Sequence, residues 1–278
     1  MMPLDPDLDR TLELVRRAAV EAGRLLLRYW RHGVPGEDKG VLDVVTEADR
    51  ASERLLRTRL LDAFPADRFL GEEDGEVAGA AAGAAPGAAA RLWAVDPLDG
   101  TVNFFHGHPF FCLSIALLVD GTPTLAVLEA PALGWTYAAA RGRGATRNGT
   151  PIRVSHTCSL DHALVATGWG PASHTRPDPF LASLPEFFRR SHGVRRCGSA
   201  ALDLAMTADG TYDAYYEMSL HTWDVAAGIL LVREAGGCVT DYAGAEADCS
   251  GRAVAASNGL LHEAVLPLIR DTPLVPPY

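Results

Sequence analysis

Basic residues are in short supply. The 278-residue chain carries 25 Lys and Arg against 35 Asp and Glu, a formal net charge of −10. A general grip on nucleic acid backbone needs the opposite balance, so no nucleic acid partner is expected. The acid excess is compatible with cation binding, and solubility alone also explains it. Paired cysteines are missing too. Cys112, Cys158, Cys197, Cys238 and Cys249 are odd in number and scattered, with no C-x-x-C pair. That argues against a disulfide framework or a zinc knuckle and for a reducing compartment. No apolar run approaches the ~20 residues of a membrane span. The opening MMPLDPDLDR lacks the basic start and apolar core of a signal peptide. The expectation is a soluble cytoplasmic protein with no membrane partner.

What is present is globular: 48% hydrophobic and 22% charged residues, with ample material for a core. The length suits about two domains of ordinary size. Asp5-Pro6 opens an amphipathic helix over 5–31, with Leu8, Leu12, Val15, Ala19, Ala22, Leu26 and Tyr29 at helical spacing. RHGVPGEDKG reads as a polar loop, and a second helix runs from Thr46, where T-x-x-D resembles a capping box, to Ala63. RFLG is a short strand that ends in acids, and 75–90 is a Gly/Ala-rich surface loop without an apolar face. From 91 to 155 the pattern is strands, with Asp120-Gly121 and Asn148-Gly149 as hairpin turns. Beyond it helices and strands alternate: HALVATG, a helix near 178–191, a helix from Ser199, the strand YDAYYEM, and helices from Trp223 and Asn258. The expected class is α+β, with an antiparallel half over 1–155 and an alternating half over 156–278. No internal repeat is visible.

One segment asks for chemistry. In WAVDPLDGTVNFFHG the apolar strand Trp93–Val95 stops at Asp96, and Asp99 follows three residues later with Pro97 between them. Proline fixes φ, and the residue before it is pushed towards extended backbone. Both carboxylates, and the Leu98 carbonyl, can then converge on one point. Two carboxylates so close repel unless a positive charge lies between them, and a hard divalent cation is the natural partner. Asp-Pro and Asp-Gly are also ordinary turn pairs. Glu72 and Glu73 in GEED end another strand, and Asp224 in HTWDVAAG sits in the first turn of a helix capped by Thr222. Helix capping by itself explains Asp224, and equally Asp49 in VVTEAD.

DVVTEAD, GEED, WAVDPLDGTVNFFHG and the long segment from Gly198 to Gly237 resemble the signature segments of the inositol monophosphatase family, in the family's order and over nearly the whole chain. The resemblance implies a layered α-β-α-β-α sandwich and a Mg²⁺-dependent, lithium-sensitive phosphatase in which a metal-activated water hydrolyses inositol monophosphate and similar polyol phosphates. It implies one Mg²⁺ on Glu72, Asp96 and the Leu98 carbonyl, and a second on Asp96, Asp99 and Asp224. Thr101, with Glu72 and Asp49, would orient the attacking water, and the amides of Gly100 and Thr101 would receive the phosphate. Glu73 would stand behind the ligands. Glu217 and the backbone of Ala200 would face the sugar ring beside Asp99 and Asp224, although Glu217 also reads as an exposed strand-end acid. Lys39 reads as a surface lysine, His106 and His108 as loop residues, Arg195-Arg196 as a solvated pair, and Phe104, Phe105, Phe110 and Phe111 as core. No C-x₅-R loop asks a cysteine to act as nucleophile. The family also includes histidinol-phosphate phosphatases, and members that act chiefly by binding transcription or RNA machinery. A homodimer is implied by resemblance alone.

Overall fold

A computed structural model describes residues 8–32, 36–40, 43–81 and 89–277, with side chains described for 8–31, 47–81, 89–170 and 172–277. The first helix, α1 (Leu8–His32), buries Val15, Ala19, Ala22 and Leu26 along one stripe. The segment read as a polar loop, 31–40, contains strand β1 (Gly36–Gly40), which pairs antiparallel with β2 (Asp43–Thr46) beyond it. Backbone pairing in a ribbon needs no apolar alternation, and alternation is the signal that marks a strand in sequence. The side chains of Lys39 and Thr46 lie outside the described residues. Helix α2 (Glu47–Ala63) ends where the sequence places its end.

The next strands are β3 (Arg68–Gly71) and β4 (Gly75–Ala78), paired antiparallel. The first four residues of the expected 75–90 loop are therefore strand; residues 82–88 lie outside the described ones. Then follow β5 (Arg91–Asp99), the short helix α3 (Thr101–Phe105), β6 (Cys112–Val119), β7 (Thr122–Ala130), β8 (Trp135–Ala140), β9 (Ala145–Arg147) and β10 (Thr150–Ile152). Both expected hairpin turns are left-handed pairs, Asp120 and Gly121 at φ 48° and 75°, Asn148 and Gly149 at 52° and 78°.

The second half holds β11 (Leu164–Thr167), α4 (Pro177–Leu181), α5 (Leu184–Arg190), β12 (Gly193–Arg195), α6 (Ala200–Ala208), β13 (Ala214–Met218), α7 (Thr222–Glu234), β14 (Cys238–Thr240), β15 (Ala253–Ser257) and α8 (His262–Ile269). The single helix expected over 178–191 is two. Pro185 sits in the first turn of α5, and its missing N–H ends any continuation from α4. The last helix starts at His262 rather than Asn258, because Asn258 Oδ1 accepts from the Leu261 N–H at 3.0 Å and Gly259 turns at φ 83°.

The strands form an eight-stranded sheet in the order β10-β9-β8-β7-β6-β5-β3-β4 and a five-stranded sheet in the order β12-β11-β13-β15-β14. In the larger sheet only β3 and β5 are parallel neighbours. Helices α1 and α2 cover one face of it, α6 and α7 fill the space between the sheets, and α4, α5 and α8 cover the outer face of the smaller sheet. The result is the expected α-β-α-β-α sandwich. Strand parity assigns each residue to a layer: Leu113, Ile115 and Leu117 of β6 pack towards α1 and α2, whereas Cys112, Ala116 and Leu118 pack towards α6 and α7. Among the described residues no helix is long and apolar enough to cross a membrane.

Candidate functional site

Strand β5 does not stop at Asp96. It runs on to Asp99 through a bulge, since Asp96 pairs with Ser114 but Asp99 pairs with Cys112. Three residues of β5 thus oppose two of β6. In a regular strand residues i and i+3 face opposite sides of the sheet; one inserted residue restores the parity and turns both carboxylates towards the layer of α6 and α7. A bulge is also where a sheet tolerates proline, which explains Pro97.

Several atoms of the bulge are held by hydrogen bonds. Asp96 is 2% exposed, and its Oδ1 accepts from the Leu98 N–H at 2.9 Å. Ser52 Oγ donates to the Pro97 carbonyl at 2.8 Å. The Thr101 hydroxyl stands 2.9 Å from the Leu98 carbonyl and 3.1 Å from Asp49 Oδ1, so one proton serves two acceptors. Asp99 Oδ2 accepts from Ser199 Oγ at 2.7 Å and from the Ala201 N–H at 2.8 Å, and the Ala200 N–H also donates to this carboxylate. Asp99 therefore sits on the N-terminus of α6, a favourable place for negative charge. Ala200 turns its N–H towards Asp99. Gly100 joins bulge and α3 at φ 89°, where a Cβ would lie 3.0 Å from the Phe110 carbonyl and 3.2 Å from that of Gly198. Only glycine fits both the angle and the space.

Glu72 follows β3 directly and is half-buried. Asp224, in the first turn of α7, accepts from the His221 N–H at 2.7 Å. His221 rather than Thr222 is the N-cap, and Thr222 is the first helical residue. Burial, then the charges of Glu72, Asp99 and Asp224, push Asp96 well above the carboxylate range. Burial and Asp224 raise Asp99 in the same way. The four acids thus share one electrostatic neighbourhood. They are neighbours rather than a ready-made cage: among the described residues no three His, Cys, Asp or Glu side chains are grouped to hold a metal. Their chemistry fits a hard divalent cation, which takes all-oxygen ligands and would offset the repulsion that raises Asp96 and Asp99.

Beside the acids lies a polar floor. Glu217 at the end of β13 is 6% exposed and accepts from the Tyr215 hydroxyl at 2.7 Å. It is no exposed strand-end acid. Burial raises it to about 8, with Tyr215 and the charge of Arg196 opposing. A Cβ on Gly168 would lie 2.1 Å from Glu217 Oε2, so this carboxyl needs glycine opposite it. Arg196 is more than a solvated residue. Its guanidinium stacks 5.0 Å from the Trp169 ring centre and donates to the Trp169 carbonyl at 2.9 Å. Phe104 and Phe111 are core, edge to face at 5.0 Å, but Phe110 is half-buried and Phe105 is 45% exposed. His106 and His108 are exposed on the loop.

Sequence reading passed over Ser52, Glu53, Ser199 and Asp203, all buried around this site. Glu53 follows Asp49 by four residues, a spacing that places both on one helix face. Asp203 interrupts the otherwise apolar run AALDLAM, and that interruption was its signal.

The sequence pattern of the inositol monophosphatase family matches residues 7–274. An inositol-1-monophosphatase of Synechocystis is 38% identical over 96% of this chain and 91% of its own length. The Nus factor SuhB of Pseudomonas aeruginosa is 39% identical over 96% of this chain and 97% of its own. Among solved structures, the extragenic suppressor protein suhB of Bartonella henselae superposes with a TM-score of 0.86 at 36% identity, covering 94% of this chain and 99% of that one. The chain belongs to the inositol monophosphatase family.

Proposed function

We propose that this protein is a Mg²⁺-dependent phosphatase that hydrolyses inositol monophosphate and related small polyol phosphates to the free polyol and phosphate. The observation that carries the reading is the β5 bulge, which turns Asp96 and Asp99 to one side, within electrostatic reach of Glu72 and Asp224. In this reading Glu72, Asp96, the Leu98 carbonyl, Asp99 and Asp224 hold the metal. Bound there, Mg²⁺ would activate the attacking water and neutralise the departing alkoxide. The Thr101 hydroxyl, shared between Asp49 and the Leu98 carbonyl, orients that water together with Glu72. The amides of Gly100 and Thr101 receive the phosphate oxygens. Residues 1–155 supply most of these groups, and 156–278 supply the polyol-reading side: Glu217, Ala200 and Asp224. A homodimer is part of the proposal.

A panel of phosphate esters assayed with and without Mg²⁺ tests the reading. EDTA should abolish turnover, Mg²⁺ restore it and millimolar Li⁺ inhibit it; indifference to all three removes the proposed chemistry. Within the panel, inositol monophosphate should outrank histidinol phosphate, and a hundredfold preference for the latter would reassign the substrate while leaving the mechanism standing.

Glu217→Gln isolates the polyol reader. Each carboxyl oxygen can accept from a ring hydroxyl, and a site built for hydroxyls penalises any mismatch because its buried groups go unpaired. The variant should lose roughly tenfold or more in kcat/KM on inositol monophosphate, about 1–3 kcal/mol of contact energy, and far less on an aryl phosphate. Equal losses on both esters would take that role away from Glu217.

A second reading comes from the relatives named as Nus factors: a binding role towards transcription machinery, with hydrolysis alongside. Pull-downs with wild type and Asp96→Asn separate the two, because partner binding should survive loss of the acid site.

A further inference from the structure

Helix α2 touches three segments of the site through three buried side chains in a five-residue stretch. Asp49 reaches the Thr101 hydroxyl at 3.1 Å and Ser52 the Pro97 carbonyl at 2.8 Å. Glu53, 1% exposed, reaches a third segment. Its Oε2 accepts from the Glu73 N–H at 2.8 Å and its Oε1 from the Asp74 N–H at 2.9 Å. These are the two amides directly after Glu72. The residue directly before it, Gly71, leaves room for the same carboxylate: a Cβ there would lie 2.5 Å from Glu53 Cδ. Glu72 is thus bracketed on both sides by contacts to Glu53.

The geometry points to a role for Glu53 as the positioning residue of Glu72: it fixes the β3–β4 turn in register with the β5 bulge, so that Glu72 and Asp96 reach the same cation. The inference rests on the metal reading proposed above. Both Glu53 oxygens are engaged by backbone, so its role is to hold Glu72 rather than to join it as a ligand. Hydrogen bonds from two amides to one carboxylate are charge-assisted and directional, which suits them to fixing a turn. The hairpin does not depend on them for its existence. β3 and β4 pair through four residues, from Arg68 with Ala78 to Gly71 with Gly75, and the ion pairs Arg68–Glu76 and Arg57–Asp74 reinforce it from outside. Losing Glu53 therefore leaves a paired hairpin whose turn is free to shift. Partners that orient metal ligands typically change metal affinity about 10–100-fold when removed.

The test is Mg²⁺ binding to the full-length protein by titration calorimetry, next to the Mg²⁺ activation curve and the thermal midpoint. Glu53→Gln keeps the volume but turns one acceptor into a donor facing an amide N–H. Glu53→Asp is too short to span both amides. Gly71→Ala pushes the carboxylate away without altering it. Each should weaken Mg²⁺ binding about tenfold or more, while KM for the ester at saturating Mg²⁺ stays within about threefold. Leu56→Val, a cavity in the same helix that leaves Glu53, Gly71 and the turn residues unaltered, is the control for lost stability: its Mg²⁺ affinity should match wild type at a comparable loss in midpoint. Affinity within twofold of wild type in folded Glu53→Gln overturns the role, as does an equal loss in Leu56→Val. Failure of all three variants to fold also overturns it, by assigning Glu53 to the stability of the fold. Wild-type protein that binds no Mg²⁺ removes the metal reading and this role together, and that outcome is distinct from the others.

Discussion

Asp96→Asn should cost roughly three orders of magnitude in kcat on any phosphate ester while making the metal-free protein more stable. The two effects have one cause. Asp96 is 2% exposed, and burial together with Glu72, Asp99 and Asp224 raises its pKa well above the usual range. A carboxyl whose folded pKa lies above its unfolded one contributes stability that is complete below the unfolded value and lost as pH rises through the folded one. At neutral pH this group therefore opposes folding. Asparagine removes the titration and keeps an oxygen for the Leu98 N–H. The proposed metal, in turn, needs the charge that folding resists. Removing a ligand shared by two ions forfeits several kcal/mol of transition-state stabilisation, about 1.4 kcal/mol for each tenfold in rate. Thermal melts in EDTA at pH 7.5 should place the variant several degrees above wild type. Added Mg²⁺ should raise the wild type and leave the variant unmoved, because only binding to the folded state shifts a melt. Near-normal turnover would reject Asp96 as a shared ligand; a lower melt in EDTA would reject the electrostatic account.

The residues that could be read from sequence are those whose signal is local. The D-P-L-D-G-T run announces a stiffened acid pair, and the Asn-Gly and Asp-Gly turns specify left-handed backbone, because each feature is set by neighbours in the chain. The bulge was not legible. Its register is a property of β5 against β6, and Asp96 looks like a strand end until its partner Ser114 is known. Strand β1 and the edge strand β4 lack a sequence signal for a related reason, since Gly-rich, polar segments carry no period-two pattern even when their backbones pair. Glu53 reads as one more charge on a helix surface, and only the fold puts the GEED turn over it. Arg196 reads as solvated because nothing in RRCG foretells that Trp169, 27 positions away in sequence, provides its stacking face and its acceptor.

Asp203 shows the same limit most sharply, and it leads to the second large effect. Asp203→Asn should stabilise the protein, by more at higher pH. The side chain is 0% exposed on α6, and among the described residues neither carboxyl oxygen has a hydrogen-bond partner. Burial, then Glu217 and Asp99, hold its pKa well above 3.8; Arg196 opposes them, but from an exposed position where solvent screens it. The phenols of Tyr212 and Tyr215 also face it, and its charge raises both. Between the unfolded value of 3.8 and the folded one, the native state holds a proton that the unfolded chain has released. Stability in that window falls by about 1.4 kcal/mol per pH unit relative to a neutral side chain. Asparagine escapes that term, while its amide bears a burial cost close to that of the protonated acid. Urea unfolding of both proteins in EDTA at pH 6, 7 and 8 gives the difference directly, and other titrating groups largely cancel in it. A stability gap that widens with pH is the expected result. A gap independent of pH would mean that Asp203 is ionised and paired in solution, and a less stable variant would mean that its carboxyl makes a bond asparagine cannot replace.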